Sequence, residues 1–457
     1  MTQFSRFASR GELIETVARP EPKPDLPPAP WFFAAAMAGS TFIAIFGGLV
    51  LAFLAAMQTG YASEHWTEAV QAHGRLQLFG WVTVFVVALS FEFSVRFNQR
   101  PAMPLRPRLA ALLALGVGTA LGAAGQVWYE RVDVLWPIGQ GLMLLGAAAS
   151  AWLVIRTVLP PRMPGDPGPF WFTAAMLWLV AAATAAFASS VSTSIPVVPL
   201  DESRLAVEIG LRGFVLNMIL AVGLRAFPGH VDLPPIPVQR QRVLFAGLNA
   251  SVVAWALGSG AFFLPDIEAA RMASDLLLAT ALLAFTAWSR ILGPRPQMTG
   301  GPRYRTLIPL AWTGAVAYAL MLVIYAIAAP WWDPGIYRTG AVRHTMLLGF
   351  MAPMMAAMAH VVLARFGTGR IRHENLLTAG FVFVFAAAPL RIVPALWSET
   401  PGDAGRGVMG LAAVALIAGL MLVALVAADT ALAVRARHRA IENEWAERRR
   451  HAHVVMP

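Results

Sequence analysis

Long uninterrupted runs of apolar residues constrain the fold of this chain more than any other feature. Twelve runs are long enough to cross about 30 Å of hydrocarbon as a helix that rises about 1.5 Å per residue. Because 58% of the residues are hydrophobic and only 13% are charged, the composition is not that of a water-soluble domain. The sequence predicts an all-α, polytopic membrane bundle with spans at 31–57, 75–97, 109–128, 134–159, 170–190, 205–226, 243–264, 272–293, 307–330, 342–366, 375–397 and 408–434.

The spans are predicted to form one domain, 31–434, because the longest loops have only about 15 to 20 residues. Residues 1–30 contain Glu12, Glu15, Glu21 and Asp25 and a proline-rich stretch at 20–30, and they lack the basic start and the apolar run of a signal peptide. We expect them to form a cytoplasmic tail. Residues 435–457 are basic, and we expect a second cytoplasmic tail, helical and held against anionic lipid.

The basic residues predict the orientation of the bundle. When alternate loops are assigned to opposite sides, 26 of the 35 Lys and Arg residues lie on one side and seven on the other. Cytoplasmic loops retain the excess of Lys and Arg, so both termini are predicted to be cytoplasmic. The net charge of +10 expresses this asymmetry, and we expect the lipid bilayer and no nucleic acid as partner.

Two histidines, His73 and His344, stand at the beginnings of the second and tenth runs. Both runs are predicted to enter from the outer face, so the two imidazoles should lie at matched depth. An ionisable side chain at membrane depth costs free energy, and such a residue usually has a function. Two imidazoles can be the axial ligands of one haem iron. The alternative is that each histidine bonds water or a lipid headgroup at the interface. With no cysteine in the chain, thiolate ligands and covalently attached haem are excluded.

Three arginines are predicted near the histidines. Arg391 should lie at the same depth near the end of the eleventh run, where it could bind a haem propionate bidentately. Arg343 and Arg75, which adjoin the histidines, are further propionate candidates or ordinary arginines that reach the interface.

Two carboxylates lie inside predicted spans. Glu92 is either a proton-relay group or the partner of Arg96, one turn away. Glu208 has the i,i+4 spacing of an intrahelical ion pair with Arg212, and proton transfer is the alternative.

Other candidate residues have less demanding interpretations. His360 is predicted to be a core or interfacial histidine, because it lies about 24 Å deeper than His344 on the same helix. His65, in an outer loop, is either a copper ligand or an ordinary loop residue. Met351 lies on the face of His344 and either packs against a macrocycle or belongs to the core.

The arrangement of these residues resembles that of subunit I of the haem-copper oxidases and nitric oxide reductases, in which helices two and ten hold the low-spin haem. The runs His73-Gly74-Arg75-Leu76-Gln77-Leu78-Phe79-Gly80-Trp81 and Arg343-His344-Thr345-Met346-Leu347-Leu348-Gly349-Phe350, with 365–370 and 390–394, resemble the NnrS family more closely. That resemblance implies a bacterial inner-membrane protein that contains haem and copper and acts in nitric oxide stress or denitrification.

By this resemblance, b-type haem is expected between His73 and His344, with nitric oxide or a redox partner as further partners. The oxidases need more histidines on helices six and seven, where this chain offers only Glu208, Arg212, Asn217 and Asn249. The ligands of any copper are therefore not identified, and the sequence leaves open whether the chain is an enzyme. The alternative function is that of a cofactor-free transporter or scaffold, in which intramembrane histidine and glutamate bind substrate or protons.

Overall fold

The chain folds into long helices, with no strand among the residues that the structure, a computed structural model, describes: 29–161, 165–293, 302–328, 331, 335–366, 371–397 and 402–454. The predicted tail at 1–30 lies almost entirely outside these residues. Twelve helices are named here in chain order: α1 (Phe32–Met57), α2 (Trp66–Phe97), α3 (Leu105–Val127), α4 (Leu135–Val158), α5 (Gly168–Ser192), α6 (Leu200–Gly229), α7 (Val238–Leu257), α8 (Glu268–Ser289), α9 (Pro302–Ala328), α10 (Gly335–Leu363), α11 (Glu374–Trp397) and α12 (Asp403–Val454).

Eleven of these helices are long and apolar enough to cross a membrane. The exception is α7, whose first turn carries Gln239, Arg240, Gln241 and Arg242. The predicted seventh span, 243–264, lies too far towards the C-terminus compared with the observed helix, Val238–Leu257. The helix ends at Leu257 because Gly258 and Gly260, the latter at φ +71°, begin a turn closed by the bridge between Ser259 and Asp266.

The helices that carry the two histidines begin earlier than predicted. α2 starts at Trp66 and α10 at Gly335, not at 75 and 342, because their polar first turns continue the helix and bury small residues such as Ala72 and Ala341 against neighbours. The histidines therefore lie about two turns inside their helices.

The helices are arranged as three similar groups around a centre. α2, α6 and α10 form the centre: 89%, 89% and 83% of their most apolar stretches are buried, against 33–56% for the other eight apolar helices. Successive packing contacts join α3, α4, α5 and α6 into one group, and α7, α8, α9 and α10 into a second. The third group consists of α11, α12, α1 and α2, so each group ends on one central helix.

The three central helices share one internal pattern. They begin about 134 residues apart, and each passes from an α segment into a π-helical segment, namely Leu76–Thr83, Ile209–Val215 and Thr345–Met351. Each π segment contains a glycine followed by an aromatic residue: Gly80-Trp81, Gly213-Phe214 and Gly349-Phe350. The similarity of helices two and ten seen in the sequence is therefore part of a threefold repeat with a period of four helices, whose middle copy lies in α6.

Because successive helices run in opposite directions, their first residues alternate between the two ends of the bundle. The guanidinium of Arg435 on α12 lies 5.2 Å from the ring centre of Trp31, directly before α1. The start of α1 and this part of α12 are therefore at the same end. The α12 helix continues unbroken past 434 to Val454, so the basic segment joins the bundle without a linker.

Glycine allows α3 and α4 to pack with their backbones in contact. A Cβ at Gly139 would lie 2.7 Å from the carbonyl oxygen of Gly118, and one at Gly146 would lie 2.9 Å from that of Ala111. Without a hydrophobic force between helices in lipid, such close approach is what holds them together.

Replacing Gly139 by Ala should therefore destabilise the bundle by about 1–3 kcal/mol, because the added methyl group meets backbone that cannot move aside. Thermal unfolding in detergent measures the change. Gly247→Ala is the matched control, since a Cβ there meets nothing within 4 Å. Equal melting temperatures for the two variants would contradict this account of the packing.

Candidate cofactor site

A cavity of about 250 Å³ lies inside the group that contains α1, α2, α11 and α12, and it is closed by α6 and α10. The even-numbered helices line it with their first turns and the odd-numbered helices with their last turns. The cavity therefore lies at the end of the bundle that the basic residues predict to be the outer one. His73, His344, Arg343 and Arg391 all line it.

The imidazole rings of His73 and His344 face this cavity as a matched pair. Their centres are 6.4 Å apart and their planes are inclined by only 8°. The depth match predicted from topology is thus present as a direct juxtaposition of the two side chains.

Backbone carbonyls fix the orientation of both rings. Nδ1 of His73 lies 2.9 Å from the carbonyl oxygen of Gly48, and Nδ1 of His344 lies 2.6 Å from that of Gly340. Because a carbonyl only accepts, each Nδ1 carries the proton and donates it. Nε2 is then the nitrogen available to a ligand, and metal-binding histidines commonly use their other nitrogen in this way.

A π-helical segment in α1, Ala44–Leu49, supplies one of these carbonyls. A π turn moves backbone hydrogen bonds from i−4 to i−5 and leaves carbonyl groups for other donors. Within this segment the Gly48 carbonyl accepts from His73 and the Ala44 carbonyl accepts from Gln77 Nε2 at 3.1 Å. A Cβ at Gly48 would overlap the amide end of the Gln77 side chain, so any other residue there would displace Gln77 from the Ala44 carbonyl.

The distance between the rings leaves room for one metal ion. Atoms of a five-membered ring with bonds of about 1.35 Å lie about 1.15 Å from its centre. If both Nε2 atoms lie on the line between the ring centres, which are 6.4 Å apart, the nitrogens are about 4.1 Å apart, which equals two metal–nitrogen bonds of about 2.0–2.1 Å. In that orientation His73 and His344 would hold a single ion between their Nε2 atoms.

The charged side chains that line the cavity are all cationic. They are Arg204, Arg343 and Arg391, with no Asp or Glu among the described lining residues. Arg391 donates to the sulfur of Met409 at 3.2 Å, and its guanidinium lies 3.7 Å from where a Cβ of Gly340 would be. The cavity thus favours an anionic ligand, and Arg391 lies beside the residue that orients His344.

Arg343 belongs to a buried cluster of charges behind the cavity wall. Its Nε lies 2.9 Å from one carboxylate oxygen of Glu208, whose other oxygen lies 2.8 Å from Nε of Arg212. Arg212 also pairs with Asp275 at 2.6 Å. The predicted pair of Glu208 with Arg212 is confirmed, and it extends into a row of two cations and two anions that pair with one another.

Arg75 lies away from the cavity. It donates to Gln126 at 2.9 Å and lies 5.6 Å from the ring centre of Trp136, within the neighbouring group of helices. It occupies the position directly before its π segment, where Glu208 and His344 stand in the other two central helices.

Arginine–tryptophan pairs lie inside the other two groups. Arg75 lies over Trp136 in one, and Arg212 lies 4.4 Å from the ring centre of Trp255 in the other. An arginine over an indole is a favourable contact in a low-dielectric interior. The group with the two histidines is hollow, because it encloses the cavity described above.

Glu92 pairs with Arg108 at 2.6 Å, so the expected pairing with Arg96 is corrected. Arg108 lies sixteen residues along the chain on α3, and the helix spacing that suggested Arg96 gives no information on contacts between helices.

The remaining candidate residues lie apart from the cavity. His360 is buried, with Nδ1 2.7 Å from the carbonyl oxygen of Ala356, as predicted for a core histidine. His65 stacks on Tyr61 and approaches Glu68 at 3.5 Å; burial, with smaller effects of Glu68 and Glu130, raises the pKa of Tyr61 to about 12. Met351 lines a separate cavity deeper in the bundle.

Several residues of the site were missed in the sequence. Asp275 is an acidic residue within an apolar run, and such a residue is itself a sequence signal of a buried charge. Gly48, in the pair Gly47-Gly48, marked a close approach of helices. The roles of Gly340 and Arg204 have no sequence signal, because they arise from contacts between distant segments.

No group of three or more His, Cys, Asp or Glu side chains that could hold a metal ion occurs in the described part of the chain. Comparison of the sequence with protein-family models and with curated proteins found no match.

Glu208→Gln should destabilise the protein by about 3–5 kcal/mol, because it leaves an uncompensated positive charge in the buried cluster. Unfolding in detergent, followed by tryptophan fluorescence, measures this loss. Glu444→Gln, in the exposed pair with Arg448, is the control and should change little. A Glu208→Gln variant as stable as the control would show that the cluster is not a stabilising unit.

Proposed function

We propose that this chain is an integral membrane haem protein of the NnrS type, with b-type haem held between His73 and His344. The observation that carries the proposal is the juxtaposition of the two imidazole rings, whose centres lie 6.4 Å apart and whose planes are inclined by 8°; both residues would hold the iron of the haem. Bound there, haem supplies one-electron redox chemistry.

The hydrogen bonds of the two imidazoles support this assignment. The carbonyls of Gly48 and Gly340 hold both rings in one tautomer, and such partners raise the basicity of a metal-binding nitrogen. The site is therefore organised before any ligand enters.

The cationic lining supports a ligand with carboxylates. Arg343 and Arg391 can each donate a pair of hydrogen bonds to a carboxylate, and Glu208 fixes Arg343 through its Nε. Arg75 has its partners elsewhere, and we assign it no propionate.

If His73 and His344 both bind the haem iron, electron transfer would be favoured over small-ligand chemistry, because binding of nitric oxide would require one histidine to leave. A role in the nitric oxide response, which the resemblance implies, then needs either that dissociation or a redox partner at the membrane surface.

By the same resemblance we propose the bacterial inner membrane as the location, with both termini in the cytoplasm. Any copper would have ligands still to be identified.

The purified protein should be red and show the Soret band of low-spin haem. His73→Ala and His344→Ala should each shift or abolish this band, because each removes one axial ligand. His360→Ala is the matched control: it removes a buried histidine of the same helix that lies outside the cavity, and it should leave the spectrum unchanged.

Colourless protein from haem-replete cells would overturn the proposal and favour the cofactor-free transporter or scaffold. A band that His360→Ala alters as strongly as His344→Ala would place the haem elsewhere.

Arg391→Leu should accelerate loss of haem to an excess of a haem-scavenging protein by about 10- to 100-fold, because a hydrogen bond to a charged group contributes about 1.5–3 kcal/mol. Arg406→Leu, at the exposed start of α12 and paired with Asp403, is the control. Equal rates of loss for the two variants would remove Arg391 from the binding site.

A further inference from the structure

A second cavity lies among the three central helices, directly below the first. Its lining includes Phe85 of α2, Met218 and Val222 of α6, and Met351 and Met355 of α10. The cofactor cavity ends at Val82 and Leu348, about one helical turn before Phe85 and Met351. The two cavities therefore follow one another along the same helix faces.

Methionine dominates this second cavity. Four of its residues, at i, i+3, i+4 and i+7, form a single stripe on α10 that continues inward from His344: Met351, Met354, Met355 and Met358. Each of them is buried, with at most 6% of its surface exposed. Together with Met218 they surround the cavity with polarisable sulfur, which makes favourable dispersion contacts. We name this cavity the methionine pocket.

The methionine pocket does not suit water. Its lining consists of Phe, Leu, Met, Ile, Val and Gly, and no polar side chain contributes to it. A buried water needs two to four polar partners, and apolar cavities of this kind stay dry and bind apolar molecules such as xenon.

The volume limits the size of an occupant. The cavity measures about 40 Å³, and a water molecule needs roughly 10–15 Å³ by the same measure. An occupant of two or three heavy atoms fits, whereas a lipid acyl chain or a flat aromatic ring is too large.

We propose that the methionine pocket binds a small uncharged apolar molecule of the size of a diatomic gas. Such molecules dissolve readily in hydrocarbon. If the proposed function is correct, the pocket holds a gaseous ligand one turn below the cofactor cavity. Its occupation depends only on its own lining, so it can be tested separately from haem binding.

Crystals of the full-length protein, exposed to pressurised xenon, test the proposal through the anomalous signal of the bound gas. We expect a xenon peak in the methionine pocket of the wild type. Val222→Phe should remove that peak, because the added ring fills the pocket. The control is Leu177→Phe, which adds the same ring at a position 57% exposed on the outside of α5, and it should keep the peak.

Met354→Ala provides a second variant for the case in which Val222→Phe does not fold. It enlarges the pocket, and the xenon peak should strengthen. A wild-type pocket without xenon, or a peak that neither variant changes, would overturn the proposal. His344→Ala separates the two proposals, because it should lose the haem spectrum and retain xenon.

Discussion

Polar groups buried at membrane depth need partners within the protein, and the interior of this bundle is organised by that requirement. The row of Arg343, Glu208, Arg212 and Asp275 satisfies it by ion pairing. The two imidazoles satisfy it with backbone carbonyls on one side only. Each ring keeps one nitrogen for something else, and this makes the pair the most informative feature of the interior.

The threefold arrangement shows how the group that contains the cavity differs from the other two groups. Three similar groups of four helices surround the centre; arginine–tryptophan pairs lie inside two of them, and the third encloses the cavity. The residue directly before the π segment is Arg75, Glu208 or His344, according to the copy. The residue type at this repeated position differs in each copy, and the same backbone pattern places a ligand nitrogen in α10 where the other two copies place charges.

Much of the fold could be predicted from the sequence, since apolar runs marked each of the twelve helices, although α7, which is not among the eleven that could cross a membrane, was placed too far towards the C-terminus. The errors lay at helix starts, as at Trp66 and Gly335, where polar residues continue a helix that apolarity does not mark. The pairing of His73 with His344 could be predicted as a match in depth, because alternating spans fix depth. The partners of Glu92 and Arg75 could not, because contacts between helices depend on rotation about each helix axis. The threefold repeat was hidden because its α6 copy carries Glu208 and not a histidine.

The most direct test of the central claim, that the hollow group holds a metal between His73 and His344, is an experimental density map of the protein purified from haem-replete cells. We expect a planar ligand in the cavity, with its metal between the two imidazole nitrogens and its carboxylates near Arg343 and Arg391. A cavity that contains only lipid or water, with the two imidazoles bonded to solvent, would contradict the account.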